Sequence, residues 1–207
     1  MRVTKEANER KNEILDTAEK LFAVKGYEAA TINDILEAVK IAKGTFYYHF
    51  KSKEEVLDAI IERHVNIGIK KAKEIVSSNL SPLQKLLAII LAQKPTDSAQ
   101  DGIITILHEK DNSKMHVKSL TQTIIHLSPC LAEVFKEGID AGLYKTPYPL
   151  ESAQILLTAA IVLFDNDFFQ WTDDEKIKKI SAFLETIERT LGAKPGSFSK
   201  FGKAFSI

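Results

Sequence analysis

The side chains that could bind a polyanion are concentrated between residues 38 and 53. This stretch holds four lysines and no aspartate or glutamate, whereas the whole chain carries 28 basic and 28 acidic residues. A local basic patch of this kind attracts the phosphates of duplex DNA even when the protein as a whole is neutral. The lysines are Lys40, Lys43, Lys51 and Lys53.

Two short helices are predicted to position this patch. Thr31 and Asp34 have the spacing of a capping box, and apolar residues follow at helical intervals as far as Val39. After a turn at residues 40–43, the segment from Gly44 to Phe50 can form about two turns of helix.

The two faces of the second short helix differ in character. At about 100° per residue, Phe46 and Phe50 share one direction and are expected to face a core. Ser52 with Glu55 predicts another capping box, so a long helix should begin at Lys53 with its free amides towards the same surface. The residues on the opposite side and the flanks are Gly44, Thr45, Tyr47, Tyr48 and His49.

This arrangement is typical of a helix-turn-helix, whose second helix enters the major groove of DNA. The pattern alone leaves open an ordinary helical hairpin with incidental lysines. The N-terminal part of the chain, to about residue 60, also resembles the DNA-binding domain of the TetR family of bacterial repressors. The matching features are a first amphipathic helix ending in KGYEAATI, the helix TINDILEAV and the run KGTFYYHFKSKEEVL.

The resemblance implies a homodimeric repressor that binds a palindromic operator in double-stranded DNA. Effector binding would reorient the helix from Lys53 and move the two reading helices out of groove spacing. Gly44 allows close backbone approach, but some relatives carry Pro or Ser there, so their base preference does not transfer. The implied base contacts are Lys43, Gly44 and Tyr48, and the implied phosphate contacts are Thr31, Thr45, Tyr47, His49 and Lys53.

The predicted fold class is all-α. It comprises an N-terminal three-helix DNA-binding domain (residues 1–52), a larger C-terminal helical effector-binding and dimerisation domain (residues 53–192) and a tail (residues 193–207). Pro129 is expected to kink or split the helix that contains it. Beyond the helix from Lys53 to about Val76, helices are predicted from Pro82 to the Lys94-Pro95 break, through residues 103–107, and at Met115–Ala141, Leu150–Trp171 and 173–191. Leu83, Leu86, Leu87, Ile90 and Leu91 are expected to face inward.

Composition limits the class of protein. Apolar residues make up 44% of the chain, which suffices for two cores, and the single cysteine excludes a disulfide framework within it. The start of the chain is charged, so no signal peptide is expected. The apolar run Ile155 to Phe164 is too short to span a bilayer. These features predict a cytoplasmic protein without a membrane segment.

The helix Leu150–Trp171 is apolar nearly all round between Ile155 and Phe164. Such a helix must be covered on more than one side, either as the central core helix or by a second subunit. The resemblance implies the second subunit, because the last two helices of TetR-like proteins pair in a four-helix bundle. The predicted dimer contacts are Leu157, Ile161, Phe164, Ile180, Leu184 and Ile187.

Polar groups lie among apolar ones in the middle helices, as in a pocket for a small apolar effector. His108 with Glu109 and Asp111 is only a partial metal set, so no metal is predicted, and Cys130 is expected to be an ordinary buried thiol. The predicted ligand contacts are Leu107, His108, Gln122, His126, Cys130, Tyr144 and Phe164.

Neither a cofactor nor an enzymatic activity is predicted, because the chain has no phosphate-binding glycine loop, nucleophile elbow, CxxC or HExxH motif. A helical enzyme is one alternative. Control by a protein partner instead of a small ligand is another, and it depends on the tail. The phenylalanines Phe198, Phe201 and Phe205 could dock on a subunit, or the tail could be a frayed terminus.

Overall fold

The computed structural model describes residues 7–93, 113–165 and 168–202. Within these ranges the protein is all-α, with eight α-helices, one 3₁₀ helix and no strand, as the sequence predicts. The predicted helix through residues 103–107 lies outside the described residues. The chain divides into two compact units, and the division falls after Asn66 and after Ser119, each time within a long helix.

The first unit is built on four helices, α1 (Ala7–Lys25), α2 (Ile32–Val39), α3 (Lys43–His49) and the first part of α4 (Lys53–Val76). Their apolar faces form one buried cluster, which includes Ile14, Phe22, Ile35, Phe46 and Leu57, all fully covered. α1 ends at Lys25, because Gly26 adopts a positive φ of 79° that a residue with a side chain rarely adopts.

The turn between α2 and α3 depends on Lys40. Its backbone is left-handed, with φ 58° and ψ 49°, and its N–H donates to the carbonyls of Glu37 and Leu36. The N–H of Ile41 also donates to the Leu36 carbonyl, at 3.1 Å. These bonds close α2 in the way that a glycine normally does, and they set the direction in which α3 leaves.

The capping box predicted at the start of α4 forms only in part. The Ser52 hydroxyl accepts the N–H of Glu55 at 3.1 Å. The Glu55 carboxylate, however, accepts the N–H of Lys51 and not that of Ser52. The cap therefore reaches one residue further back and also holds the chain that leaves α3.

The second unit contains the end of α4, α5 (Pro82–Ala92), most of α6 (Ser113–Asp140), α7 (Pro149–Leu163), α8 (Asp173–Leu191) and a 3₁₀ helix (Ser199–Phe201). The prediction for the inner face of α5 is wrong at Leu91, which is exposed, while Ile89 is buried. Lys85 is also buried on this face, where its ammonium binds the Glu137 carboxylate at 2.7 Å and the Val76 carbonyl at 2.6 Å.

Helix α7 ends well before the predicted Trp171. Phe164 leaves helical geometry, with φ −101° and ψ 9°. The indole N–H of Trp171 then donates to the Leu163 carbonyl at 2.8 Å, which supplies a partner for one of the last carbonyls of the helix. The long apolar pattern therefore covers both the helix and the turn that follows it.

Pro129 is predicted to kink or split helix α6, and the split is wrong, because the helix runs through Pro129 without a break. Proline removes one backbone donor from the helix interior. Buried Leu127, Cys130 and Leu131 flank it and hold the two halves by packing. The Ser128 hydroxyl adds a hydrogen bond to the Ile124 carbonyl at 2.6 Å.

The C-terminal segment is packed against the second unit and is not frayed over residues 193–202. Phe198 and Phe201 are each only 1% exposed. The Phe198 ring stacks on Tyr144 with the centroids 6.2 Å apart, and it contacts Phe201 at 5.0 Å. Phe205 lies outside the described residues.

Candidate nucleic-acid interface

Helix α3 has one buried and one exposed face, as predicted. Phe46 and Phe50 lie in the core of the first unit, while Tyr48 is 77% exposed and Tyr47 45% exposed. An aromatic side chain with this much exposure is unusual on a face that only meets water. The core contacts fix the rotation of α3, so they also fix which side chains it presents.

The N-terminus of α3 is exposed, and another molecule can approach its backbone closely. Ala42 is the N-cap and provides no side-chain hydrogen bond to the first turn. Lys43 and Gly44 are exposed. A Cβ atom added at Gly44 would meet nothing within 4 Å, so no crowding within the protein demands glycine there. The missing side chain leaves space for a molecule outside the protein.

The polar side chains on α3 pack on one another. The Lys43 ammonium lies 5.8 Å from the centre of the Tyr47 ring, and Tyr48 contacts His49 edge-on at 4.9 Å. Thr45 is partly buried. These contacts hold the aromatic rings in defined positions, which lowers the entropy lost when a ligand binds them.

The structure adds two basic residues that the sequence analysis missed. Burial and the neighbouring charges of Lys11 and Arg10 lower the pKa of His49. The Lys11 ammonium also lies 5.6 Å from the centre of the Phe50 ring. The N-terminal part of α1 therefore extends the positive charge around α3. The only sequence signal was the adjacent pair of bases Arg10-Lys11, which lies between the acids Glu9 and Glu13.

Thr31 is exposed at the N-terminus of α2 and forms the predicted capping box. Its hydroxyl accepts the Asp34 N–H at 3.1 Å, and its own N–H donates to the Asp34 carboxylate at 2.8 Å. The hydrogen bond from Lys25, at 2.7 Å, and those from Thr31 lower the pKa of Asp34 to about 2. The phosphate contact implied for Thr31 would have to coexist with this cap.

Lys53 has partners inside the first unit. Its ammonium donates to the carbonyls of Tyr27 at 2.7 Å, Glu28 at 3.2 Å and Ala30 at 3.0 Å. It also lies 4.2 Å from the centre of the Tyr27 ring. All three ammonium protons are thus directed at the loop between α1 and α2. A phosphate contact by this side chain, which remains a prediction, would require it to share these protons.

The second unit contains an apolar cavity of about 250 Å³. Among the described residues, α5, α6, α7, α8 and the C-terminal segment line it, and Gln93 is the one polar lining residue. Leu86, Ile89, Leu131, Phe135, Leu156 and Phe183 form much of its wall.

None of the predicted ligand residues in the described ranges lines this cavity. Gln122 binds the exposed His126 at 3.1 Å, and Phe164 packs on Phe183. Burial raises the pKa of the Cys130 thiol and raises that of Tyr144 to about 12. Leu107 and His108 lie outside the described residues, and the roles of all seven residues remain predictions. No cluster of metal-binding side chains occurs within the described parts of the chain.

Several of the predicted dimer residues pack within their own chain instead of facing outward. Leu157, Ile161 and Ile187 line the cavity, and Ile180 is buried. Phe164 and Leu184 are half-buried. The most exposed apolar side chains of these two helices are Ile155 on α7, at 65%, and Ile177 on α8, at 62%, and neither is among the predicted dimer contacts. Helical spacing alone could not separate the two sides, because α7 is apolar nearly all round.

Two family models match the chain in succession. Residues 14–60 match the model for bacterial regulatory proteins of the tetR family. Residues 96–186 match the model for the C-terminal domain of tetracycline-repressor-like proteins. Of the helices the structure describes, none is both long and apolar enough to cross a membrane.

Curated relatives match this chain over about half of its length. The transcriptional repressor KstR2 of Mycobacterium tuberculosis (strain H37Rv) is 34% identical over 91 residues, which cover 44% of this chain and 46% of the relative. The regulator TtgR of Pseudomonas putida is 30% identical over 113 residues, which cover 53% and 54%. The chain thus spans about half the length of these relatives.

The fold is shared over nearly the whole chain with solved structures. SmeT, the repressor of the multidrug efflux pump SmeDEF of Stenotrophomonas maltophilia, has a TM-score of 0.61 and 21% identity, and the match covers 91% of this chain and 92% of SmeT. The complex of SmeT with triclosan has a TM-score of 0.57, 18% identity and coverage of 92% and 94%. The chain therefore belongs to the TetR family of bacterial regulators, which are DNA-binding transcription factors and not enzymes.

Proposed function

We propose that the chain is a transcriptional repressor that acts in the cytoplasm and reads its operator with α3. The observation that carries this proposal is the exposed face of α3, where Tyr48 stands out beside Lys43 and the open position at Gly44. Lysine side chains attract phosphates, and side chains that reach base edges in the major groove select the sequence.

The test compares two exposed tyrosines from different units. Tyr48→Ala should weaken operator binding by about 1–3 kcal/mol for a lost base contact and reduce the preference for operator over random duplex. Tyr148→Ala is the matched control, because Tyr148 is 65% exposed but lies in the second unit. Binding is measured by fluorescence anisotropy on a footprinted operator. Equal affinities for Tyr48→Ala and the parent would remove α3 as the reading helix.

A palindromic operator requires a two-fold dimer, since each half-site takes one α3. We propose that the exposed apolar residues of α7 and α8, represented by Ile155 and Ile177, contact the partner subunit. Charged residues at these positions would be buried against the partner but would face water in a monomer. Ile155→Asp should therefore give a folded monomer by light scattering. Thr158→Asp is the matched variant on the same helix, and it should weaken the dimer less, because it replaces a side chain that is already polar.

We further propose that a small apolar effector in the cavity releases the operator. The apolar lining supports this, as does the complex of the structural relative SmeT with triclosan. An effector that binds only the DNA-free state at ~100 times its dissociation constant shifts the equilibrium by about 2.7 kcal/mol. A thermal-shift screen of lipophilic compounds, followed by operator release, tests the proposal. It fails if no compound that stabilises the protein also weakens operator binding.

Control by a protein partner is the alternative outcome of that screen. Its sequence support was a tail with exposed phenylalanines. Phe198 and Phe201 are instead buried within their own unit. This leaves the small effector as the better supported signal.

A further inference from the structure

The C-terminal segment, defined here as residues 193–202, forms part of the cavity wall. Phe198 and Phe201 both line the cavity, together with residues from α5 to α8. Each is covered almost completely, and their rings contact one another at 5.0 Å. The segment therefore contributes to the shape of the cavity as well as to the core of the second unit.

A buried carboxylate holds this segment in place. Glu188 on α8 is only 9% exposed, and its two oxygens accept the N–H of Gly196 at 2.9 Å and the N–H of Phe198 at 3.0 Å. The backbone carbonyl of Glu188 accepts a third bond, from Ala193. Hydrogen bonds to an ionised carboxylate are roughly twice as strong as neutral ones. A single side chain thus fixes the backbone on which Phe198 stands.

The lining of the cavity defines the ligand chemistry. Of the lining residues that the structure describes, all but Gln93 are apolar, so an ion of either sign would lose its hydration there without gaining a charged partner. Gln93 is exposed, and its amide N–H donates only a long bond of 3.3 Å to the Ile89 carbonyl. The cavity, at about 250 Å³, exceeds the roughly 150 Å³ in which an apolar site binds benzene.

We propose that the C-terminal segment completes a site for uncharged apolar molecules larger than benzene, in which Phe198 and Phe201 set the size and Glu188 positions them. A single polar group of the ligand would lie at Gln93. The inference names the ligand class for the effector proposed above and therefore rests on that proposal. The site can nevertheless be tested without DNA.

The first experiment uses two fluorescent probes with the same ring skeleton, N-phenyl-1-naphthylamine and its sulfonated counterpart 8-anilino-1-naphthalenesulfonate. The neutral probe should bind the full chain saturably, with one site per chain and at least tenfold more tightly than the sulfonate. Equal or tighter binding of the sulfonate would overturn the assignment to uncharged ligands. Absence of saturable binding by the neutral probe would show that the cavity is filled by the chain itself, and would also overturn it.

The second experiment tests the role of the segment. Phe201→Ala should increase the affinity of the bulky neutral probe relative to naphthalene at least fivefold, because the truncation enlarges the cavity. Phe201→Leu, which retains most of the packing, should shift the ratio in the same direction by less. Phe169→Ala is the control, since Phe169 lies in the same unit but not in the cavity wall. An unchanged ratio in both Phe201 variants would refute the proposal.

The third experiment addresses Glu188. Glu188→Gln keeps the shape of the side chain but leaves only one oxygen for the two backbone donors. It should weaken binding of the neutral probe at least fivefold while the helical circular dichroism stays the same. Parent affinity in this variant would show that Glu188 does not position the segment. If the probes behave as expected but never release the operator, the effector proposal fails and the binding site stands.

Discussion

Replacing Lys53 by methionine should destabilise the protein even in the absence of DNA. Methionine retains the apolar stem but removes the ammonium that binds three carbonyls of the loop between α1 and α2. The bonds to Tyr27 and Ala30 are partly buried, whereas the one to Glu28 is exposed and is replaced by water at little cost.

The size of the effect follows from these three contacts. A hydrogen bond to a charged group contributes about 1.5 kcal/mol or more, so the two partly buried bonds amount to about 3 kcal/mol. The contact with the Tyr27 ring adds about 0.5 kcal/mol. Partial hydration of the freed carbonyls recovers some of this, which leaves an expected loss of about 2–3 kcal/mol in the free energy of unfolding.

Urea unfolding, followed by circular dichroism, measures this loss. Lys51→Met is the matched control, because Lys51 is exposed and lies only two positions away. It should change the unfolding free energy by less than about 0.5 kcal/mol, as surface substitutions usually do. If Lys53→Met unfolds at the same urea concentration as Lys51→Met, the assigned role in holding the loop is refuted.

The same pair of variants also separates folding from DNA contact. A lysine that neutralises one phosphate contributes about 0.9 to the slope of log affinity against log salt. If Lys53 only holds the loop, the slope should remain that of the parent when Lys53→Met is assayed below its unfolding range. A reduced slope would show that the ammonium also reaches a phosphate.

Three further results are expected. Lys40→Gly should raise the unfolding free energy by about 1 kcal/mol, because glycine adopts the φ of 58° without steric cost, and an unchanged or lower value would contradict this. Burial raises the pKa of Glu19, but bonds and charges from His64 and Arg63 outweigh it and lower that pKa below the ordinary 4.5. The stability from Glu19 is therefore complete above pH 4.5 and is lost as the pH falls through the lowered value, so Glu19→Gln should flatten acid unfolding in that range. Ile177→Asp should yield monomers with parental helicity, and dimers in analytical ultracentrifugation would exclude Ile177 from the interface.

The local sequence determined the ends of helices and the faces of α3. The box Thr31–Asp34 formed as its spacing predicted, and Thr172 forms another with Glu175, because a capping box joins groups only three residues apart. Gly192 ended α8 with a positive φ of 62° for an equally local reason. The rotation of α3 followed from Phe46 and Phe50, since a short amphipathic helix has one way to bury two large rings.

Tertiary structure alone decided the partners that lie far apart in the chain. Lys53 binds carbonyls 23 to 26 positions away, and Glu188 holds the segment that carries Phe198. No spacing of residues in the sequence predicts either contact, because each depends on how whole helices pack. The same holds for α7, where apolar residues occur on every side. Only the packed structure distinguishes those that line the cavity from Ile155, which remains exposed.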